Sequence, residues 1–228
     1  TSVCGHRRPL QAFKGEPLMT IPVSDIAFTS SVKAVQARLG SRQHYAQMEE
    51  RDGWSDTITP DLTAFLRERD SFYFATASAE GRPYIQHRGG PKGFLKVLDA
   101  HTLAFADFKG NRQYISIGNL VENDQAFLFF MDYATQTRLK IWGTAEVIEN
   151  DPELLTRLTD SSYKGRPERV IRFRVEAWDA NCRQHIPRKY SQEDLEGIVQ
   201  PLRDRLATLE AENAMLKRRL PSPVNSLV

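Results

Sequence analysis

The sequence has little of several features that would assign a protein class at once. It contains only two cysteines, Cys4 and Cys182, in 228 residues, which is too few for a disulfide-stapled fold and is typical of a reducing compartment. No stretch approaches the roughly 18 to 20 apolar residues that span a bilayer, and the N-terminal residues lack the apolar core of a signal peptide. We therefore expect a soluble, cytoplasmic protein with no membrane partner.

An excess of charge of one sign is also missing. The 31 lysines and arginines nearly balance the 29 aspartates and glutamates, and the formal net charge is +2. Such a balance gives no electrostatic reason to expect nucleic acid, so any phosphate site must be local. The histidines and acidic residues show no spacing typical of a catalytic triad or a carboxylate pair, and no catalytic residue is assigned.

The sequence is rich in short β-strand patterns. Seven aromatic or alternating segments are separated by turns: SFYFATAS (71–78), PYIQHR (83–88), FLKVLD (94–99), HTLAFAD (101–107), QAFLFFMD (125–132), TRLKIWGTAEVIE (137–149) and VIRFRVEAWD (170–179). The first four predict two hairpins, the second of which turns at Asp99 and Ala100. A helix is predicted over 114–121 and a short one from Asp151 and Pro152. This pattern predicts a mainly β fold, a closed or partly closed antiparallel barrel with flanking helices.

The segments flanking the strands divide the chain into three regions. Residues 1–58 are expected to form an N-terminal arm and a helix, 59–190 the barrel domain, and 191–220 a C-terminal helix. The N-terminal helix is predicted to begin at a Ser30 or Ser31 cap and to end at Gly40. A second helix is predicted from Thr59 and Pro60, with Leu62, Phe65 and Leu66 on its apolar face.

The C-terminal region carries a heptad repeat. Leucines recur every seven residues at the d positions, and a second series fills the a positions: Leu195, Leu202, Leu209 and Leu216, then Val199, Leu206, Asn213 and Leu220. This repeat predicts a dimeric coiled coil, and Asn213 favours two strands in register. The segment before it, SQEDLEG, is acidic, which excludes a basic DNA-binding zipper.

The partner of this helix is left open by the heptads alone. In a parallel dimer Arg205 would face Glu210 of the other chain, and Glu212 would face Lys217, so both pairs attract. The alternative is a single amphipathic helix packed on its own domain. Pro201, at an outward c position, predicts either a kink or a zipper that begins there.

Two segments have the composition of a ligand site. In GRPYIQHRGGPKG (81–93) a strand with Gln86, His87 and Arg88 leads into glycines that allow close approach of a flat ligand. In ADFKGNRQ (106–113) backbone amides, a helix dipole and the guanidinium of Arg112 could converge on a phosphate. The alternatives are an ordinary hairpin turn for the first segment and a solvated helix cap for the second.

Together, and in this order, the two segments resemble the pyridoxamine 5'-phosphate oxidase-like FMN-binding split-barrel family. The matching stretches are GRPYIQHRGG, TLAFADFKGNRQYISIGNLVEND and the later LKIWGTAEV, so the resemblance covers about Leu62 to Trp178. It implies FMN bound at the interface of a homodimer. The tail WDANCRQHIPRKY is similar to that of uncharacterised members of the family.

The resemblance also implies the residues that contact the cofactor. Strand residues would line the isoalloxazine and ribityl chain, the next strand would flank them, and the turn would hold the phosphate; the residues are Gln86, His87, Arg88, Gly89, Asp107, Phe108, Lys109, Asn111, Arg112 and Gln113, with Arg188 reaching toward the pocket. The chain departs from the vitamin B6 oxidase itself at QHRGG and at Gln113. The implied protein is therefore a different member of the family.

The function implied is that of an FMN-dependent oxidoreductase with unknown substrate. The alternatives are a non-catalytic flavin or haem binding protein, a deazaflavin-dependent reductase of the same fold, and a scaffold whose coiled coil recruits partners. Cys182 and His185 have a ligand-like spacing, but no second pair lies near them in sequence. We therefore expect a buried thiol and a hydrogen-bonded histidine, and predict no metal.

Overall fold

The computed structural model describes residues 22–51, 53–181 and 183–219. They form two compact units. The first contains the described residues up to Leu128 together with Ile141–Asp179, and the second contains Phe129–Lys140 and the described residues from Ala180 onward. Among the residues described, no helix is both long and apolar enough to cross a membrane. Cys4, Cys182 and Leu220 lie outside the described residues.

The secondary structure alternates short helices with one large sheet. A 3-10 helix spans Val23–Ile26; the other elements are, in chain order, α1 (Ser30–Arg38), α2 (Arg42–Arg51), α3 (Pro60–Arg67), β1 (Ser71–Ala77), β2 (Pro83–Gly89), β3 (Lys96–Asp99), β4 (Thr102–Phe108), α4 (Ile115–Glu122), β5 (Gln125–Asp132), β6 (Thr137–Ile148), α5 (Pro152–Leu158), β7 (Pro167–Asn181) and α6 (Gln192–Arg219). The seven strands form one sheet in the order β2-β1-β5-β6-β7-β4-β3. The mainly β fold predicted from the sequence is confirmed.

Both predicted hairpins are confirmed. β1 pairs antiparallel with β2, which places Phe74 opposite Gln86, and β3 pairs antiparallel with β4 around the turn at Asp99 and Ala100. The carboxylate of Asp99 accepts a hydrogen bond from the His101 amide at 2.8 Å, and this bond lowers the pKa of Asp99. Local alternation and turn residues were therefore sufficient to find these elements.

The helix starts agree with the prediction in α3 but not in α1. Thr59 caps α3, because its hydroxyl accepts a hydrogen bond from the Leu62 amide. In α1 the cap is Thr29, whose hydroxyl accepts from the Val32 amide, so the predicted Ser30 or Ser31 cap is wrong. No helix is predicted from the sequence at α2, because RQHYAQMEER contains good helix formers but has no apolar face.

The sheet curls strongly without closing through hydrogen bonds. The rings of Phe72 in β1 and Phe105 in β4 have centroids 5.2 Å apart, although β5, β6 and β7 lie between these strands in the sheet. Four strand spacings in a flat sheet would separate them by about 19 Å. The two strands therefore meet across a shared aromatic core, while β2 and β3 remain the sheet edges. This is a split barrel rather than a closed one.

The N-terminal helices pack on the outer face of this sheet through aromatic rings. Trp54 stacks on Trp142 of β6 at 4.6 Å between ring centroids, and Phe28 contacts Trp54 at 5.0 Å. Ser55 forms a β-bridge with Trp178, whose indole N–H donates to the Thr57 carbonyl. Residues before α3 are thus fixed to the barrel by ring stacking and by an added stretch of sheet.

In the second unit, α6 is a single helix that continues through Pro201. It begins next to Ser191, whose hydroxyl accepts from the Asp194 amide while the Asp194 carboxylate accepts from the Ser191 amide. This reciprocal pair is a capping box. The helix therefore begins nine residues before the proline.

A glycine in β6 supplies a test of the sheet packing. A Cβ added at Gly143 would stand 1.9 Å from the carbonyl oxygen of Arg174 in β7. We expect Gly143→Ala to lower the free energy of unfolding by about 2 to 3 kcal/mol, because a backbone atom must shift. Gly118→Ala in α4, where nothing lies within 4 Å, is the control and should be neutral or stabilising. Equal urea midpoints for the two variants would contradict this packing.

Candidate functional site

A cleft opens between β2, the loop that follows β4 and the first turn of α4. The space between its walls is about 400 Å³, and this volume includes space that is open to solvent. The two segments singled out in the sequence meet here, because β4 and β2 approach each other where the barrel is split. The predicted residues that line the cleft are Gln86, Arg88, Asp107, Phe108, Asn111, Arg112 and Gln113.

A buried ion-pair network forms the floor of the cleft. The carboxylate of Asp107 in β4 accepts a short hydrogen bond from the Arg88 guanidinium in β2, and its other oxygen lies 3.5 Å from the Arg169 guanidinium in β7. The side chains of Asp107, Arg88 and Arg169 are 8%, 13% and 13% exposed. One carboxylate thus joins three strands and balances part of the charge of two arginines.

A β-bulge in β7 adds a second carboxylate to the site. Asp107 is opposite Arg169, but the next residue, Phe108, is opposite Pro167, so Glu168 is the extra residue in β7. A bulge changes the side-chain direction of the extra residue, and bulges are common beside active sites. Glu168 lines the cleft and lies 3.5 Å from the Arg169 guanidinium.

The loop between β4 and α4 is held in an unusual backbone conformation. Arg112 and Tyr114 have φ angles of 62° and 54°, in the left-handed region that is costly for bulky residues. The Asn111 side chain accepts a hydrogen bond from the Gln113 amide, and the Arg112 Nε donates to the Tyr114 hydroxyl at 3.0 Å. Left-handed residues of this kind cluster at ligand sites, which makes the loop a candidate ligand clamp.

The first turn of α4 presents backbone donors to the cleft. Tyr114 occupies the cap position without a side-chain cap bond, and the first helical bond runs from the Gly118 amide to the Tyr114 carbonyl. Ile115, Ser116 and Ile117 therefore have no helical acceptor for their amides, and all three line the cleft. The helix dipole adds a partial positive charge at this end.

Polar side chains attach α4 to the hairpin of β1 and β2. The Ser116 hydroxyl donates to the Gln86 side-chain oxygen at 3.3 Å, and the Asn119 side chain donates to the Thr76 hydroxyl at 2.9 Å. These contacts fix the helix start relative to Gln86 and orient the Gln86 amide. The strand and the helix form one rigid wall of the cleft.

The loop carries a positive charge that could bind an anion. The hydrogen bond to Tyr114 raises the pKa of the Arg112 guanidinium, and the Glu168 carboxylate, which also lines the cleft, raises it further and offsets part of the positive charge. Among the described residues, Nε is the only atom of the Arg112 guanidinium that has a hydrogen-bond partner. Its terminal nitrogens remain available as donors to an anion, beside the uncapped start of α4.

Not every predicted residue lies at the cleft. His87 is on the opposite face of β2 from Gln86 and Arg88, and its ring contacts Tyr73 at 5.7 Å. Gly89 and Lys109 are exposed and are not among the residues that line the cleft. Arg188 belongs to the second unit, where its Nε donates to the Gln136 side chain at 3.2 Å.

One expectation about the glycines after β2 needs correction, and the expectation about Cys182 and His185 is tested only at the histidine. The glycines after β2 do not all serve a ligand: a Cβ at Gly90 would stand 2.6 Å from the Phe94 ring of the same chain, so this glycine makes room for the core. His185 is exposed, with a φ of 62°. The thiol of Cys182 lies outside the described residues.

Sequence reasoning missed three residues that complete the site. Arg169 and Glu168 reach it only through the pairing of β7 with β4, for which no local pattern exists. The sequence predicts Tyr114 as the first residue of a helix over 114–121, yet it is the cap residue, and the Arg169 guanidinium lies 5.2 Å over its ring. Its place directly after the Gly-Asn-Arg-Gln turn was the one sequence signal that Tyr114 could be the cap of α4.

The fold and the comparison with known proteins together identify the class. A seven-stranded sheet that curls without closing, with flanking helices, is a split barrel. The family model for pyridoxamine 5'-phosphate oxidase matches residues 58–182, more than half of the 228 residues. The chain therefore belongs to the pyridoxamine 5'-phosphate oxidase family.

Several solved structures are similar at low sequence identity. HupZ from Group A Streptococcus is 20% identical, with 58% of this chain and 99% of that chain covered and a TM-score of 0.45. An FMN-binding protein from Syntrophomonas wolfei is 12% identical (64% and 97% covered, TM-score 0.43). HutZ, the haem storage protein from Vibrio cholerae, is 18% identical (54% and 93% covered, TM-score 0.37). A comparison with curated proteins gives no match.

The ion-pair network predicts a large and specific effect on stability. We expect Asp107→Asn to lower the free energy of unfolding by about 3 kcal/mol, because Arg88 stays buried without its carboxylate, while Arg169 keeps only its contacts with Glu149 and Glu168. Glu146→Gln is the matched control: Glu146 accepts a hydrogen bond from Arg172 in a pair whose side chains are 57% and 45% exposed, and its loss should cost less than about 1 kcal/mol. Urea denaturation measures both, and an equal loss would show that Asp107 has no special structural role.

Proposed function

We propose that the cleft binds FMN, with the phosphate at the first turn of α4 and the ring end toward β2. The observation that carries the proposal is the uncapped start of α4 beside the Arg112 guanidinium. Backbone amides at a helix start and a guanidinium with available donors are the groups that bind phosphate in proteins. The family to which the chain belongs agrees with a flavin cofactor.

The residues of the cleft fit both ends of such a ligand. At the phosphate end, Arg112 and the amides of α4 offer charge and hydrogen-bond donors. At the other end, the Nε of Arg88 is buried without a hydrogen-bond partner, and an unsatisfied buried donor favours a ligand acceptor. Phe108 adds an aromatic ring to the lining, against which a flat ring system could pack.

The protein groups would position the cofactor and set its electrostatic surroundings. Bound FMN would supply hydride or electron transfer, which makes an oxidoreductase the expected activity. Asp107 holds Arg88 in one orientation, and Ser116 fixes the Gln86 amide. These two strand residues would then donate to the ligand without first losing side-chain freedom.

A second subunit would complete the site. The cleft is open to solvent, whereas cofactor sites normally enclose most of the ligand surface. Ile115 at the cleft is 40% exposed, and apolar side chains elsewhere on the same elements are also exposed, Ile85 on β2 by 59% and Val121 on α4 by 81%. Exposed apolar residues beside an open site are typical of an interface. We propose that the family's homodimer covers this surface.

Haem is the alternative ligand, and the donors of the cleft favour flavin over it. Iron in haem proteins is held by histidine, cysteine, methionine or tyrosine. Of these the described cleft contains Tyr84 and Tyr114, and the Tyr114 hydroxyl already accepts from Arg112. His87 is on the other face of β2. Among the other lining residues, Arg112, Asn111 and Gln113 carry side-chain donors that suit a phosphate.

A titration with two ligands tests the phosphate contact. Arg112→Ala should weaken FMN binding by about tenfold or more, because a charge-assisted hydrogen bond is lost. Riboflavin has the same ring without the phosphate, and its affinity should be unchanged by this substitution. Flavin fluorescence quenching measures both affinities.

Lys109→Ala is the control for charge alone. It removes one positive charge from the same loop at an exposed residue that does not line the cleft. Its effect on FMN affinity should stay below about threefold. An unchanged FMN affinity in Arg112→Ala, or an equal loss for riboflavin, would refute the proposed orientation.

A further inference from the structure

An unpartnered apolar seam runs along α6. None of the 28 residues of this helix is buried, and its heptad leucines are exposed to an unusual degree: Leu195 46%, Leu202 64%, Leu206 57%, Leu209 44% and Leu216 58%. Leucines are rarely left on a surface in such a regular row. At a rise of about 1.5 Å per residue the helix is about 42 Å long. A seam of this length needs a partner that matches its repeat.

The charges beside the seam fit a second copy of the same helix. The g positions of the helix are Ile198, Arg205, Glu212 and Arg219, and the e positions are Glu196, Arg203, Glu210 and Lys217. In a parallel pair Arg205 faces the partner's Glu210, and Glu212 faces the partner's Lys217. Each contact occurs twice by symmetry and each is attractive.

These charges alone do not determine the orientation. In the antiparallel arrangement with full overlap of the seams, Arg205 would face the partner's Glu212, and Glu210 would face the partner's Arg203, so attraction would remain. Asn213 separates the two cases. In a parallel pair its amide meets the partner's Asn213 and the two can hydrogen-bond, whereas in the antiparallel pair it meets the partner's Leu202 and is buried without a partner.

We infer that α6 binds α6 of a second copy as a parallel, in-register, two-stranded coiled coil. The inference is independent of the flavin proposal, since it uses no residue of the cleft. A homodimer held both at the barrels and at α6 would have two separate interfaces. The coiled coil would keep the subunits at high effective concentration when the barrels separate.

Disulfide formation tests the register directly. With Cys4 and Cys182 replaced by serine, Leu209→Cys places one thiol at a d position of the full chain. In the inferred pair the two thiols meet, within the Cα separation of less than about 7 Å that a disulfide needs. Ala211→Cys, two residues further on at the outermost f position, is the control. We expect mild oxidation to crosslink Leu209→Cys and to leave Ala211→Cys reduced.

A charge exchange tests the orientation in the Leu209→Cys background. Glu212→Lys should slow crosslinking, and Glu212→Lys with Lys217→Glu should restore the rate to within about twofold, because the parallel pair is re-formed with reversed signs. In the antiparallel pair the double variant would add two repulsions. The inference is overturned if Leu209→Cys stays reduced, if Ala211→Cys crosslinks equally fast, or if the double variant is slower than the single one.

Discussion

The fold and the cleft both depend on the carboxylate of Asp107. In the sheet, β2 and β4 are separated by β1, β5, β6 and β7, yet Asp107 on β4 accepts a hydrogen bond from Arg88 on β2 and pairs with Arg169 on β7. Burying two guanidinium groups without this carboxylate would be strongly unfavourable. The same pair that joins β2 to β4 across the barrel therefore also places a fixed arginine at the cleft.

The rest of the site is built on that fixed floor by local backbone strain and an open helix end. Two left-handed residues, Arg112 and Tyr114, turn the chain so that α4 starts at the cleft instead of continuing the strand direction. Ser116 and Asn119 then attach the helix to β2 and β1. Strain that the surrounding contacts maintain is a usual property of ligand clamps. The result is a pre-organised set of donors.

The strands, both hairpins and α3 could be predicted from the sequence, because they follow from local alternation, turn residues and helix caps. The two segments of the cleft were also found from local features, namely polar strand residues beside glycines and Arg112 before a helix. Period-two alternation also indicates that Gln86 and His87 must point to opposite faces, so both could not line one site. Arg169 and Glu168 could not be predicted, since their position depends on a non-local register and a bulge. Neither could α2, which has no apolar periodicity.

FMN binding in the cleft is tested first by the visible absorption spectrum of the purified protein, followed by mass identification of any chromophore released by heat. We expect an oxidised flavin spectrum and the mass of FMN in equimolar amount to the chain. A haem spectrum, or the mass of a deazaflavin, would contradict the cofactor assignment. A colourless protein that also fails to take up added FMN would contradict the account of the cleft as a cofactor site.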